Sequence, residues 1–252
     1  MAGRRRTPLA PEGIEPHLCT LDLRRQILRQ TPFFAGLPPA EVDRISLHFS
    51  ERGYQPGETV YHAGEPATRL YVVAAGKVKL VRPTPAGQNV LLDILTPGDF
   101  FGSLATLGDR EYPDTAEAQT ACCLLSVDAD QFAEILRAYP AVALATLEIV
   151  AERLRDAHEV IEHLSAHPVE ARLAATLLKL AERLGAESKH GVLIQMPLSR
   201  QDLAEMTGTT AETASRIMSE FRRAGLIRSG RRWVAITDPA GLAKFAEAHA
   251  GR

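Results

Sequence analysis

The side chains with the most definite chemistry lie between Leu198 and Trp233, a stretch that begins Leu198-Ser-Arg-Gln-Asp-Leu-Ala-Glu-Met-Thr-Gly-Thr-Thr. Seven arginines stand against four acidic residues there, a local excess of three positive charges in a chain whose formal net charge is −2. The charge of the whole chain therefore says nothing about a polyanion partner, whereas this segment carries the cationic surplus that a phosphate backbone attracts. Glu212, Ser215 and Arg216 have the spacing that brings side chains onto one face of a helix. At the start of a helix they would meet base edges. A guanidinium can bond guanine twice, a carboxylate can accept from a cytosine amino group, and a hydroxyl can approach thymine. Gln201, Thr209, Thr210 and Thr213 suit phosphate oxygens, and so do Arg231 and Arg232 a little further along.

Local sequence supplies the elements that would hold these groups. Ser199 followed by Asp202 is a capping pair that starts a helix whose inward face is Leu203, Ala204 and Met206. Thr207-Gly208-Thr209 makes a tight turn in which Gly208 can take a positive φ. A second helix from about Thr210 to Ala224 buries Ala214, Ile217, Met218 and Phe221, leaving Ala211, Glu212, Ser215 and Arg216 exposed at its start, where a helix-turn-helix touches bases. The run Gly225 to Ile236 reads as a hairpin turning at Ser229-Gly230, with Arg228, Arg231 and Arg232 making a basic wing. The competing interpretation is a protein-binding winged helix whose charged face is simply solvated. Ahead of these lie an amphipathic helix from Val169 to Leu184 and a short strand from Val192 to Met196.

The first half of the chain has a different texture. From Leu21 to Phe49 it is helical in short pieces, broken by Pro32, Gly36, Pro38 and Pro39. Between Glu51 and Val127 short alternating runs are punctuated by glycines, which predicts a compact β-roll or barrel. After Pro140, the residues Ala143, Leu147, Val150, Leu154, Ala157, Ile161 and Leu164 keep strict heptad spacing on one helix, with charges on its other faces. A stripe this narrow predicts a two-stranded seam between two copies; packing on its own domain is the alternative. His167-Pro168 then breaks the helix and places a hinge. The expected organisation is a disordered tail over 1–20, a β-roll sensory domain over 21–138, a dimerisation helix over 139–167 and a winged helix-turn-helix over 168–252.

With 45% hydrophobic residues in 252, the chain can bury a substantial core. Its three cysteines, Cys19, Cys122 and Cys123, are too few for a disulfide framework and suggest a reducing compartment, with no membrane-spanning run and a cytoplasmic location. Cys122 and Cys123 would point to opposite faces of a strand as buried apolar residues, while Cys19 could sense redox. His158, His163 and His167 recur near the end of the long helix and could grip a metal, but solvated histidines at a helix end are the commoner arrangement. No catalytic triad, phosphate loop or paired-carboxylate constellation is present, which argues against an enzyme.

Two motifs carry a family resemblance. Gly53-Tyr-Gln-Pro-Gly-Glu-Thr-Val-Tyr-His-Ala-Gly-Glu-Pro, continuing to Gly76-Lys-Val-Lys, resembles the opening of the cyclic-nucleotide-binding β-roll, and Pro97-Gly-Asp-Phe-Phe-Gly resembles its later turn. Over roughly Leu21 to Ala240 the chain resembles the CRP/FNR transcription regulators. The implied fold class is α+β: a cyclic-nucleotide-binding-type β-roll, a long dimerisation helix and a C-terminal winged helix-turn-helix. The implied function is sequence-specific regulation by a homodimer on double-stranded DNA, with RNA polymerase as a further partner; the alternative is a ligand-binding regulatory subunit that acts on another protein. Glu212, Ser215 and Arg216 match the arrangement in the FNR branch, while the CRP branch would have arginine where Ala211 stands, so the resemblance implies a TTGAT-like half-site in an inverted repeat. The dimer interface would use Leu147, Val150, Leu154, Ala157, Ile161 and Leu164, and the effector pocket Gly102, Ser103, Leu104, Asp114 and Thr115. Members that bind cyclic AMP have glutamate where Ser103 stands and a phosphate-pairing arginine where Asp114 stands, so this chain departs from their ligand set. Members that hold an iron-sulfur cluster use several N-terminal cysteines, against Cys19 alone here. The cofactor is thus unknown, an unidentified small effector or none, with haem in an apolar roll cavity a further option.

Overall fold

A computed structural model of the chain describes residues 8–9, 20–85, 87–102 and 110–247. By internal contacts the described residues divide into two units, one within 12–156 and one within 157–252 that also takes in residues 8–9.

The first unit opens with helices α1 (Leu21–Gln30) and α2 (Pro39–Ser46), separated by a 3-10 turn at Pro32–Phe34. The Thr20 hydroxyl accepts from the Leu23 amide to cap α1, and Pro39 sits at the first position of α2, where its missing N–H costs nothing. Eight short strands follow: β1 (Ser50–Tyr54), β2 (Thr59–Tyr61), β3 (Arg69–Ala75), β4 (Val78–Pro83), β5 (Asn89–Leu95), β6 (Phe100–Gly102), β7 (Thr115–Ala118) and β8 (Cys122–Asp128). They form two four-stranded antiparallel sheets in the orders β1-β8-β3-β6 and β2-β7-β4-β5. Alternation along β3 and β8 divides the core. Leu70, Val72, Cys123, Leu125 and Val127 face the helices, packing with Phe33, Phe34 and Phe132. Tyr71, Val73, Cys122 and Leu124 face the second sheet, packing with Tyr61, Phe101, Tyr112 and Ala116. Helix α3 (Ala129–Ala138) closes the roll and leads into α4 (Pro140–Ala166), a helix of 27 residues.

The second unit contains α5 (Val169–Leu184), β9 (Gly185–Ser188), β10 (Gly191–Ile194), α6 (Arg200–Thr207), α7 (Ala211–Arg223), β11 (Ile227–Gly230), β12 (Trp233–Ile236) and α8 (Pro239–Glu247). Its sheet runs β11-β12-β10-β9. Strand β9 falls in a polar stretch that reads as a connector, and its pairing with β10 overrides that weak local signal. The wing also differs from expectation. Gly230 pairs with Trp233, so the turn residues are Arg231 and Arg232 rather than Ser229 and Gly230. Arg232 supplies the positive φ, at 60°. Glycine at 230 answers a different need, because a Cβ there would lie 2.2 Å from the Trp233 indole nitrogen.

Candidate nucleic-acid interface

The helix-turn-helix is built by local hydrogen bonds that its sequence dictates. Ser199 and Asp202 form a reciprocal capping box at the start of α6, the Ser199 hydroxyl accepting from the Asp202 amide at 3.0 Å and Asp202 from the Ser199 amide at 2.7 Å. Leu203 and Ala204 are buried beneath it, Met206 only partly, and Thr207 takes the remaining core position by donating its hydroxyl to the Leu203 carbonyl. Gly208 ends α6 in the left-handed region, with φ 60° and ψ 45°. Thr210 then caps α7 by accepting from the Thr213 amide.

Helix α7 buries Ala214, Ile217, Met218 and Phe221, and this leaves Glu212, Ser215 and Arg216 together on its exposed face. The guanidinium of Arg216 is held by Glu220 at 2.9 Å and lies 3.5 Å from Glu170 at the start of α5. Both pairs are exposed, so they orient the side chain at little energetic cost to a competing partner. Gln201, exposed on α6, donates to Glu205 at 2.9 Å, whereas Thr209 and Thr213 are partly buried beside the turn. Arg231 and Arg232 project from the wing turn, and Arg228 is exposed on β11. Arg200 donates to the Ser229 hydroxyl at 3.1 Å, linking the start of α6 to the wing strand.

One residue that sequence reasoning overlooked organises this unit. Arg172, in the first turn of α5, donates to the carbonyls of His167 at 2.9 Å, Leu164 at 3.4 Å, Thr207 at 2.9 Å and Gly208 at 3.5 Å. It thereby ties the last turn of α4 to the turn between α6 and α7 and satisfies carbonyls that helix ends leave without partners. Nothing in its sequence neighbourhood distinguishes it from an ordinary surface arginine. The signal is tertiary.

Two family models match the chain, the cyclic nucleotide-binding domain over residues 51–139 and the Crp-like helix-turn-helix domain over residues 171–245. The cyclic AMP receptor protein of Thermus thermophilus is 33% identical over 87% of this chain and 98% of its own length. The chain belongs to the CRP/FNR family of transcription regulators. A CRP-like cAMP-activated global transcriptional regulator of Mycobacterium tuberculosis is 29% identical over 88% of this chain and 99% of its own length. Among solved structures, a CRP-family transcriptional regulator from Thermus thermophilus superposes with a TM-score of 0.67 at 30% identity, covering 77% of this chain and 96% of its own. FixK2 from Bradyrhizobium japonicum gives a TM-score of 0.70 at 25% identity, covering 78% and 96%. The protein is therefore a DNA-binding transcription regulator, and its relatives are regulators rather than enzymes.

The residues that the resemblance gives to an effector pocket are placed by the roll as follows. Gly102 ends β6 opposite Leu70, while Ser103 and Leu104 lie outside the described residues. Asp114, in the position that the resemblance gives to a phosphate-pairing arginine, is 8% exposed, and the Tyr61 hydroxyl donates to its carboxylate at 3.1 Å. Burial raises the Asp114 carboxyl above the usual carboxylate range, and the Tyr61 hydrogen bond and Arg82 offset only part of this. Thr115 accepts from the Ala63 amide at 3.0 Å. Tyr61 stacks on Tyr112 with ring centroids 3.7 Å apart and also adjoins Tyr71 and Phe101.

The cysteines and histidines distribute as follows. Cys122 and Cys123 face opposite sides of β8 as expected, and burial pushes the Cys122 thiol up to about 12. Cys123, expected as a free apolar residue, is disulfide-bonded, and Cys19 lies outside the described residues. The rings of His163 and His167 are 4.9 Å apart, and among the described residues no three His, Cys, Asp or Glu side chains gather as a metal site. Among the described residues no helix is long and apolar enough to cross a membrane. Along α4, Leu147, Leu154 and Ile161 are 65%, 57% and 59% exposed, Ala157 and Leu164 are exposed, and Val150 is partly buried. Leu144 and Val160, outside the heptad set, are exposed as well. Arg153, on the same helix, donates to the Phe100 carbonyl at 2.7 Å and lies 3.9 Å above the Phe100 ring.

Proposed function

We propose that two copies of this regulator pair along α4 and bind a TTGAT-like inverted repeat, each α7 entering a major groove about 34 Å from the other. The observation that carries this reading is the joint exposure of Glu212, Ser215 and Arg216 at the start of a capped helix beside an arginine wing turn. Arg216 pairs with guanine, Glu212 accepts from a cytosine amino group and Ser215 approaches thymine. Gln201, Thr209, Thr210, Thr213, Arg231 and Arg232 hold phosphates and set the register. The exposed apolar side chains of Leu147, Leu154, Ile161 and Leu164 support a pairing seam on α4, which a second copy would cover. RNA polymerase is the further partner that family membership suggests. The effector, where one acts, differs from a cyclic nucleotide held through its phosphate in the usual way, because Asp114 occupies the place of the pairing arginine. Its signal reaches DNA through α4 and the break at His167-Pro168, changing the spacing of the two α7 helices.

A gel-shift series with an inverted TTGAT repeat and a scrambled duplex tests the reading. Arg216→Ala is expected to abolish the preference for the repeat, at a cost of about 1–3 kcal/mol per half-site. Arg231→Ala should weaken both duplexes alike and reduce the salt slope by roughly 1. Equal binding of the two duplexes by the unmodified protein would show that the assigned residues do not read sequence.

A further inference from the structure

The face of β8 that turns away from the helices carries Cys122, Leu124, Ser126 and Asp128. Its neighbours on both sides are fixed by register. Ser50 and Arg52 of β1 lie opposite Ser126 and Leu124, and Arg69 and Tyr71 of β3 lie opposite Asp128 and Ser126. Two arginines from different strands therefore straddle Ser126. A cavity of about 360 Å³ occupies this place, lined by Arg52, Arg69, Ser126, Tyr54, Tyr71 and Leu124 together with Ser50, Glu51 and Val60. Its size lies in the range of small-molecule sites, about 300–1,000 Å³.

The lining has two parts of different chemistry. The inner part of the lining comes from Tyr54, Tyr71, Leu124 and Val60, and the Tyr71 ring also stacks on Phe101 at 5.2 Å. The rim is cationic and rich in donors. Arg69 donates to the Ser126 hydroxyl at 3.1 Å, and that hydroxyl lies 3.0 Å from the Ser50 hydroxyl. Arg52 lies 4.7 Å above the Tyr54 ring, and among the described residues it forms no ion pair. Two carboxylates adjoin the site. Glu51 is taken by Arg24 at 3.0 Å, and Asp128 stands 3.3 Å from Arg69 in a pair that is roughly half exposed and so weakly held. One guanidinium thus has free donors and the other is shared with a solvated acid.

We infer that this cavity binds a small aryl oxoanion, a planar ring bearing a phosphate or carboxylate. Arg52, Arg69, Ser50 and Ser126 take its charged group, and Tyr54, Tyr71 and Leu124 take its ring. Guanidinium forks match phosphate and carboxylate geometry, and a tyrosine lining rewards a flat apolar ring over a hydrated inorganic ion. The site is separate from Asp114 and Thr115, whose polar groups are already engaged with Tyr61 and the Ala63 amide.

Titration calorimetry of the full chain with phenyl phosphate, benzoate and inorganic phosphate tests the inference. One site per chain is expected for at least one aryl compound, with a dissociation constant on the order of 0.1–1 mM for so small a ligand. Inorganic phosphate should bind at least about tenfold more weakly, since it cannot use the tyrosine lining. Arg52→Gln, an exposed substitution whose melting temperature should match the parent, is expected to weaken aryl binding roughly 10- to 100-fold. Arg52→Lys should fall between, and Asp114→Asn should leave binding unchanged. No saturable binding of either aryl compound up to about 10 mM, where such ligands should saturate, would overturn the proposal. So would equal binding of inorganic phosphate, or loss of binding in Asp114→Asn with Arg52→Gln unaffected. Because no DNA enters the measurement, its outcome is independent of how the operator is read.

Discussion

Asp114 is a charged residue type held in a buried setting. Its carboxylate is buried and accepts a hydrogen bond from Tyr61, yet burial is the larger influence, so its folded-state affinity for a proton is raised. A carboxyl whose folded value is raised favours folding below its unfolded value and loses that contribution as pH rises through the folded one. Asp114→Asn removes the ionised form while keeping an oxygen for the Tyr61 hydroxyl. The variant is therefore expected to melt higher than the parent at pH 7, and the difference should shrink as pH falls toward the ordinary carboxylate range. Calorimetric melting from pH 4 to 8 checks this; a gap that widens toward acid would mean that Asp114 is stabilised as the anion. In the helix-turn-helix, by contrast, the proposed base-reading residues can be picked out from their types and spacing alone. Arg216 and Glu212 are exposed charged groups on a helix whose other face is apolar, and no tertiary contact is needed to see it.

Among elements, the connection between α4, α5 and the turn after α6 is the one through which the proposed signal would pass. Four backbone carbonyls converge on the single guanidinium of Arg172. Gly208 packs so close that a Cβ there would lie 3.3 Å from Leu164. Arg172→Ala leaves part-buried carbonyls without partners, each lost bond costing about 1–3 kcal/mol where burial is complete and less where water enters. We expect a fall in melting temperature of roughly 2–6 °C and weaker operator binding with the dimer retained. Circular dichroism, sedimentation and gel shift on one preparation would read all three. If DNA affinity is unchanged despite the lower melting temperature, the arginine is a structural staple and nothing more. The wing shows the opposite relation between element and sequence. Ser229-Gly230 has the composition of a turn, but the glycine serves the Trp233 ring that covers it and the turn falls to Arg231 and Arg232, which places two guanidinium groups at the tip.

For the molecule as a whole, the proposed pairing along α4 is the property to test. Leu147, Leu154 and Ile161 would be poorly placed on the surface of a solitary chain, and charge introduced among them should prevent pairing. Leu154→Glu is expected to sediment as a monomer and to lose at least about a hundredfold in operator affinity, because two linked half-sites become two independent ones. A dimer that survives this substitution would remove the seam from α4. The architecture itself was readable in the chain. Glycine-punctuated alternation marked the roll, heptad spacing marked α4, and the capping box with Gly208 marked the helix-turn-helix, since each is a local signal written within a few residues. What the chain could not disclose were contacts between residues distant in sequence: the carbonyls gathered by Arg172, the Tyr61 hydrogen bond to Asp114, the pairing that makes β9 a strand, and the two arginines of β1 and β3 placed on either side of Ser126. Capping, turn conformation and amphipathic period are decided by neighbours along the backbone, whereas burial and strand register depend on which distant segments meet, and only the folded core decides that.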